Sequence, residues 1–192
     1  MKIVFLDRDG VINFNRENHV KLIEEFILYS NAINSIIKLN NEGFKVFVIS
    51  NQRIIEDEHI PEEKIIKIFD YMQRTVELNG GKIEKYYFCP HSKFKKPICS
   101  CRKPNPGLLL KASKEFNLNL SKCYLIGDKI SDIEAGKKVN CFSILVKTGG
   151  GKEQISHCNE WSTTPDKIFK DIDEAVNFII RREREHDISR KK

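Results

Sequence analysis

The sequence holds no apolar run near the roughly 20 residues that a membrane-crossing helix needs, which excludes a helical membrane protein. It shows no internal repeat and no linker-like stretch, so no second domain is expected. No cluster interleaves aromatic with basic side chains, which argues against a nucleic-acid surface. The N-terminus enters a strand without the pattern of a signal peptide, and a cytoplasmic protein is expected. Charge of one sign is not in large excess either. The net charge is +6, and the last twelve residues, with six Lys or Arg against three acids, account for half of it. The remainder suits a small phosphorylated metabolite as well as any other acidic partner. What is present is a chain of 192 residues, 40% apolar and 31% charged, enough for a sizeable core. One domain over residues 1–180 is expected, followed by a charged, flexible tail over 181–192, in a monomer.

The organising stretch is at the start. Residues 2–6 form a short apolar run that delivers Asp7, Arg8, Asp9 and Gly10 off its end. A buried strand stopping on two carboxylates, with a glycine to turn the backbone, places both acids at a sheet's carboxyl edge, where open α/β sheets keep their ligands. Asp7 and Asp9 point the same way by alternation and repel unless a divalent cation or a shared proton relieves them. Alone, such a pair also describes a solvated acidic turn.

Further strands repeat the pattern. A helix from Asn31 to Gly43 precedes a buried strand, Phe44–Ile49, ending on Ser50, Asn51 and Gln52, polar groups suited to phosphate oxygens. Residues 11–30 read as a loop polar enough, through Asn13, Asn15, Arg16, Asn18 and His19, to line a site. Pro61 opens a longer helix closed by Gly80 and Gly81, and Ile83–Phe88 reads as a third strand. A helix carrying Leu108, Leu109, Leu110, Ala112 and Phe116 follows. Cys123–Ile126 then ends on Gly127, Asp128 and Lys129, with Asp132 close behind. A helix from about Asp132, a strand over Phe142–Val146, a flexible turn over residues 147–151 and an amphipathic helix from about Asp171 complete the chain. This alternation reads as α/β.

Six cysteines in a cytosolic chain favour metal ligands or buried apolar roles over disulfides. Cys89 and His91, then Cys99 and Cys101, form two close pairs separated by a short loop, a spacing that can converge on tetrahedral Zn²⁺. Four protein ligands leave no open position, so the zinc is expected to staple a loop. Cys123, Cys141 and Cys158 read as buried or free thiols. Arg102 and Lys103 follow directly, held by Pro104 and Pro106, and are candidates for phosphate contacts.

Taken in order, Asp7-Arg8-Asp9-Gly10, Ser50-Asn51-Gln52, Lys103 and Gly127-Asp128-Lys129 with Asp132 resemble the four motifs of the haloacid dehalogenase superfamily of phosphohydrolases. The block from Cys89-Pro90-His91 through Cys99-Ser100-Cys101-Arg102-Lys103-Pro104 is similar to its D,D-heptose 1,7-bisphosphate and histidinol-phosphate phosphatase branch. The resemblance implies a Rossmann-like, doubly wound parallel sheet with a zinc-stapled loop and no large cap domain. It implies Asp7 as nucleophile and Asp9 as general acid and base. Mg²⁺ would be held by the Asp7 carboxylate, the Asp9 carbonyl and Asp128. Lys103, Ser50 and Asn51 would meet the transferring phosphoryl group, with Gln52 and Arg102 also on the substrate side, and Lys129 and Asp132 in support. One stretch departs from the pattern. Where the family continues Ser-Gly-Ile-Ala-Arg-Gly, this chain has Arg53, Ile54, Ile55, Glu56, Asp57, Glu58 and His59, whose acids would disfavour a second phosphate unless Arg53 or Arg102 screens them. The resemblance implies a heptose bisphosphate as substrate, and the altered segment leaves a related sugar phosphate open. Histidinol phosphate, whose amine could meet those acids, is the alternative. A zinc-bearing nucleic-acid binder or polynucleotide-end phosphatase and a silent scaffold are the rivals from other classes.

Overall fold

A computed structural model describes residues 1–94 and 99–189. Six strands, β1 (Lys2–Leu6), β2 (Phe44–Asn51), β3 (Lys85–Cys89), β4 (Cys123–Gly127), β5 (Phe142–Val146) and β6 (Lys167–Phe169), form one parallel sheet in the order β3-β2-β1-β4-β5-β6. A parallel sheet must be covered on both faces, which is why its strands are continuous apolar runs. The alternation inside those runs sorts them between two cores. Val4, Leu6, Val46, Val48, Ile126 and Ile144 pack with α1 (Ala32–Asn41), α3 (Glu62–Leu78) and α7 (Ile172–Ser189). Ile3, Phe5, Phe47, Ile49 and Leu125 pack on the other face with α4 (Gly107–Phe116) and α5 (Ile130–Lys137). This is the doubly wound Rossmann-like architecture, and the cleft at the carboxyl edge is lined from short segments, among them 7–31, 50–53, 102–104 and 129–132, without a large cap domain among the described residues.

Several boundaries differ from expectation. β3 starts at Lys85 rather than Ile83, and α5 starts at Ile130 rather than Asp132. The turn expected over 147–151 ends in a helix, α6 (Gly151–Ser156), and β6 was not anticipated. Residues 181–189, expected to be a flexible tail, are the last turns of α7 and are tied to the body. Tyr124 Oη donates to Glu183 at 2.7 Å, Lys2 pairs with Asp187 at 2.9 Å, Arg182 lies 4.0 Å over the Phe142 ring, and Arg184 pairs with Glu42. Residues 190–192 of that expected tail lie outside the described residues.

Candidate active site

Chain order reverses beside β1: β2 and β3 step away on one side, and the next strand, β4, returns to the other. Such a switch point leaves a crevice at the carboxyl ends of the two diverging strands. Register keeps those ends level, with Leu6 opposite Ile126 and the Asp7 N–H donating to the Ile126 carbonyl at 2.9 Å. Asp7 leaves the end of β1 and Asp128 the end of β4, both buried. Gly10, at φ +91°, makes their approach possible: a Cβ there would lie 2.2 Å from Asp128 Oδ2. Gly149 is equally tight, at 2.3 Å from the same oxygen, and the Gly150 N–H donates to it at 2.7 Å.

Lys103 reaches the same spot from the opposite bank. Its side chain, 2% exposed, spans Asp7 Oδ1 at 2.9 Å and Asp132 Oδ1 at 2.5 Å, and donates to the Ile49 carbonyl at 3.0 Å. The Asn51 amide brackets the Lys103 backbone from both sides, donating to its carbonyl at 3.0 Å and accepting from its N–H at 3.1 Å. Asn51, expected against phosphate, is thus occupied in fixing Lys103. Gln52 is likewise turned inward, donating to Asp9 Oδ2 and to Ser50 Oγ at 2.8 Å each. It is buried because Arg8 requires an acceptor there, at 3.2 Å.

Arg8, wholly buried, was not singled out from the sequence. It grips Asp9 through Nη2 at 2.8 Å to both carboxylate oxygens and lies 4.6 Å over the Phe69 ring. Asn13 adds a third donor to Asp9, at 2.9 Å. Polarity in residues 11–30 was readable, but its division was not: Asn15 and His19 line the cleft, whereas Arg16 pairs with Glu25 at 3.8 Å.

Electrostatics follow from this packing. Burial lifts the Asp7 carboxyl to about 6 against the pull of Lys103. Burial, then the charge of Asp7, lifts Asp128 to about 8. Burial works against the charge of Asp9 too, yet Arg8, Asn13 and Gln52 together hold it below the ordinary carboxylate range. Burial likewise opposes the charge on Lys103, but Asp132 and Asp7 keep its pKa above the usual lysine value. Asp7, Asp128 and Asp132 bring carboxylate oxygens within 4.8 Å of one another, and Asp128 Oδ1 is buried with no hydrogen-bond partner among the described residues. An orphaned carboxylate oxygen among acids fits a hard divalent cation.

The cleft above these groups holds about 450 Å³, within the range of small-molecule sites. Asp7, Ser50, Lys103 and Asp132 form its buried floor; Asn15, His19, Arg53, Lys93 and Arg102 form its rim. Beside it, Cys89, His91, Cys99 and Cys101 converge, with Sγ–Sγ separations of 3.1–3.5 Å and His91 Nδ1 at 3.2 Å from Cys101 Sγ. Those spacings approximate the edges of a tetrahedron around Zn²⁺ at roughly 2.3 Å from sulfur. Cys123 and Cys141 are buried and Cys158 exposed, away from this cluster.

Comparison with known proteins agrees with the geometry. Residues 100–175 match a family model described as HAD-hydrolase-like. The D-glycero-β-D-manno-heptose-1,7-bisphosphate 7-phosphatase of Neisseria meningitidis is 35% identical over 94% of this chain and 96% of its own. The enzyme of the same name from Pseudomonas aeruginosa is 34% identical, over 93% and 98%. A crystal structure of D,D-heptose 1,7-bisphosphate phosphatase from B. bronchiseptica, complexed with magnesium and phosphate, superimposes with a TM-score of 0.87 at 26% identity, covering 95% of this chain and 99% of that one. Fold and site together define a phosphoric monoester hydrolase. The chain belongs to the haloacid dehalogenase superfamily, among the relatives of the heptose bisphosphate phosphatases.

Proposed function

We propose that the protein is a Mg²⁺-dependent, cytoplasmic phosphatase that removes the 7-phosphate from D-glycero-D-manno-heptose 1,7-bisphosphate. The observation that carries this reading is Asp7, held by Lys103 at 2.9 Å at the switch point with the unpartnered oxygen of Asp128 in the same acidic cluster. Names of relatives covering nearly the full chain supply the substrate class. Cytoplasmic location is supported by thiols that serve as metal ligands only when reduced.

Asp7 Oδ attacks phosphorus in line, the bond to the sugar oxygen breaks, and Asp9 donates a proton to that leaving oxygen. Asp9 sits ionised in its resting hydrogen-bond pocket. A phosphate dianion arriving beside it raises its proton affinity, so that Asp9 takes a proton from solvent and passes it to the leaving oxygen. In the second half, Asp9 takes the proton from a water that attacks the aspartyl-phosphate, and phosphate leaves Asp7 free. Lys103 and the Ser50 hydroxyl take up charge on the phosphoryl oxygens. The Asp7 carboxylate, the Asp9 carbonyl and Asp128 would hold Mg²⁺, which would supply positive charge there. Asp132, which accepts from the Lys129 N–H at 3.1 Å and pairs with Lys103, positions the lysine. Zn²⁺ on Cys89, His91, Cys99 and Cys101 is structural.

Phosphate release from heptose 1,7-bisphosphate, measured with and without Mg²⁺, tests the reading. The wild type is expected to turn over only with the metal, and a folded Asp7→Asn variant to lose at least about a thousandfold in kcat. Undiminished release by that variant would overturn it.

A further inference from the structure

Segment 53–59 departs from the family pattern and brings three acids close to the site, yet their side chains do not enter it. Glu56 accepts from the Ser92 N–H at 2.5 Å, Asp57 from Arg53 at 2.8 Å, and Glu58 pairs with Lys21 at 2.6 Å. Ile54, fully buried, roots the short helix α2 (Ile54–Asp57) that carries them. Among the described residues, Arg53 alone of this segment lines the cleft. The substitution that introduces acids therefore leaves the rim cationic.

The rest of the rim points the same way. Arg102 is half-buried and donates through Nη1 to the His91 carbonyl at 3.0 Å, and among the described residues no carboxylate pairs with it. His19 sits on the rim in a left-handed backbone conformation, φ +59°, and burial followed by the Arg53 charge lowers its pKa. Lys93 completes the group. Asp57 occupies one of the five N–H donors of Arg53 and aims the fork, leaving the others for a ligand. On the phosphatase reading, Lys103 and Ser50 on the floor take one phosphate. The rim is built for a second anion farther along the same molecule.

On the phosphatase reading given above, we infer that Arg53 is a specificity-determining residue that binds the distal phosphate of a bisphosphate substrate, on a rim shared with Arg102, Lys93 and His19. An arginine at the first position of this segment, where the family pattern has serine, takes up an anion, and the acids beside it serve to brace the segment. A substrate ending in an amine meets like charge here, which disfavours histidinol phosphate.

The test compares heptose 1,7-bisphosphate with heptose 7-phosphate in the wild type, Arg53→Gln and Arg53→Lys. The wild type is expected to prefer the bisphosphate. Arg53→Gln should lower its kcat/KM about ten- to a hundredfold, mainly through KM, and lower that of the monophosphate less than about threefold. Arg53→Lys should restore a good part of the preference, because the charge remains. Equal losses on both substrates, or no loss on the bisphosphate, would overturn the inference while leaving the phosphatase reading intact. A wild type that hydrolyses neither substrate would overturn that reading, and this inference with it.

Discussion

Asp7 and Asp128 are the residues whose charge the fold leaves least relieved. Both stand above the ordinary carboxylate range without a metal, at about 6 and about 8. A raised folded-state pKa means that the folded chain holds protons that the unfolded chain would release. The stability tied to those protons is complete at low pH and is lost as pH rises through 6 and then 8. On the proposed reading Mg²⁺ would reverse the sense, because a cation held by the ionised pair displaces the protons. The thermal midpoint of Mg²⁺-free protein is therefore expected to fall from about pH 4, the ordinary Asp value, to about pH 8, and the rise produced by saturating Mg²⁺ to grow over the same interval. A Mg²⁺ effect independent of pH would show that both carboxylates are already ionised in the free protein. At this scale the acids were legible in the sequence, since a strand that ends on Asp announces its own position. Arg8 was not, because nothing local to Asp7-Arg8-Asp9 says that the arginine turns under Phe69 while the acids face the cleft. The tasks of Asn51 and Gln52 were hidden for the same reason: their partners, Lys103 and Asp9, come from other segments.

Among the elements, residues 99–106, which lead into α4, carry two members of the Cys/His cluster and Lys103 of the cleft. Cys99 and Cys101 stand just ahead of Lys103, and Asn105 donates to the Cys99 carbonyl at 2.8 Å. The loop's thiols and imidazole thus set the height from which the lysine descends between Asp7 and Asp132. Protein purified without added metal should contain about one zinc per chain. Cys101→Ser, or removal of that zinc, should lower kcat about ten- to a hundredfold through a displaced Lys103, while far-UV circular dichroism changes little. Full activity in zinc-free, folded protein would separate the loop from the chemistry. Elements β1 to β5 were readable as apolar runs because both sheet faces are covered. β6 was not: Lys167–Phe169 is three residues long, with Lys167 and Ile168 exposed, and shows neither a run nor an alternation. α6 was obscured by Gly149 to Gly151, which read as a turn although the third glycine begins the helix. The last two turns of α7 read as charge alone, since the partners that order them come from Lys2, Glu42, Tyr124 and Phe142.

Across the whole molecule, the sheet has two unlike ends. The carboxyl ends of β1 and β4 carry the acids, the lysine and the cleft; α7 crosses near the amino ends, where it meets Lys2 of β1, Tyr124 of β4 and Phe142 of β5. The Tyr124–Glu183 hydrogen bond and the Arg182–Phe142 contact each contribute about 1 kcal/mol. A chain ending at Arg181 is expected to unfold at lower denaturant concentration by about 1–3 kcal/mol and to keep its kcat within about twofold. A large loss of kcat in that shortened chain, still folded, would show that the two ends communicate. Their separation has a practical reading. A dye, tether or fusion partner attached along the last turn of α7 sits behind the molecule as seen by an incoming sugar phosphate, so the enzyme can be anchored or labelled there with its mouth left facing the solution.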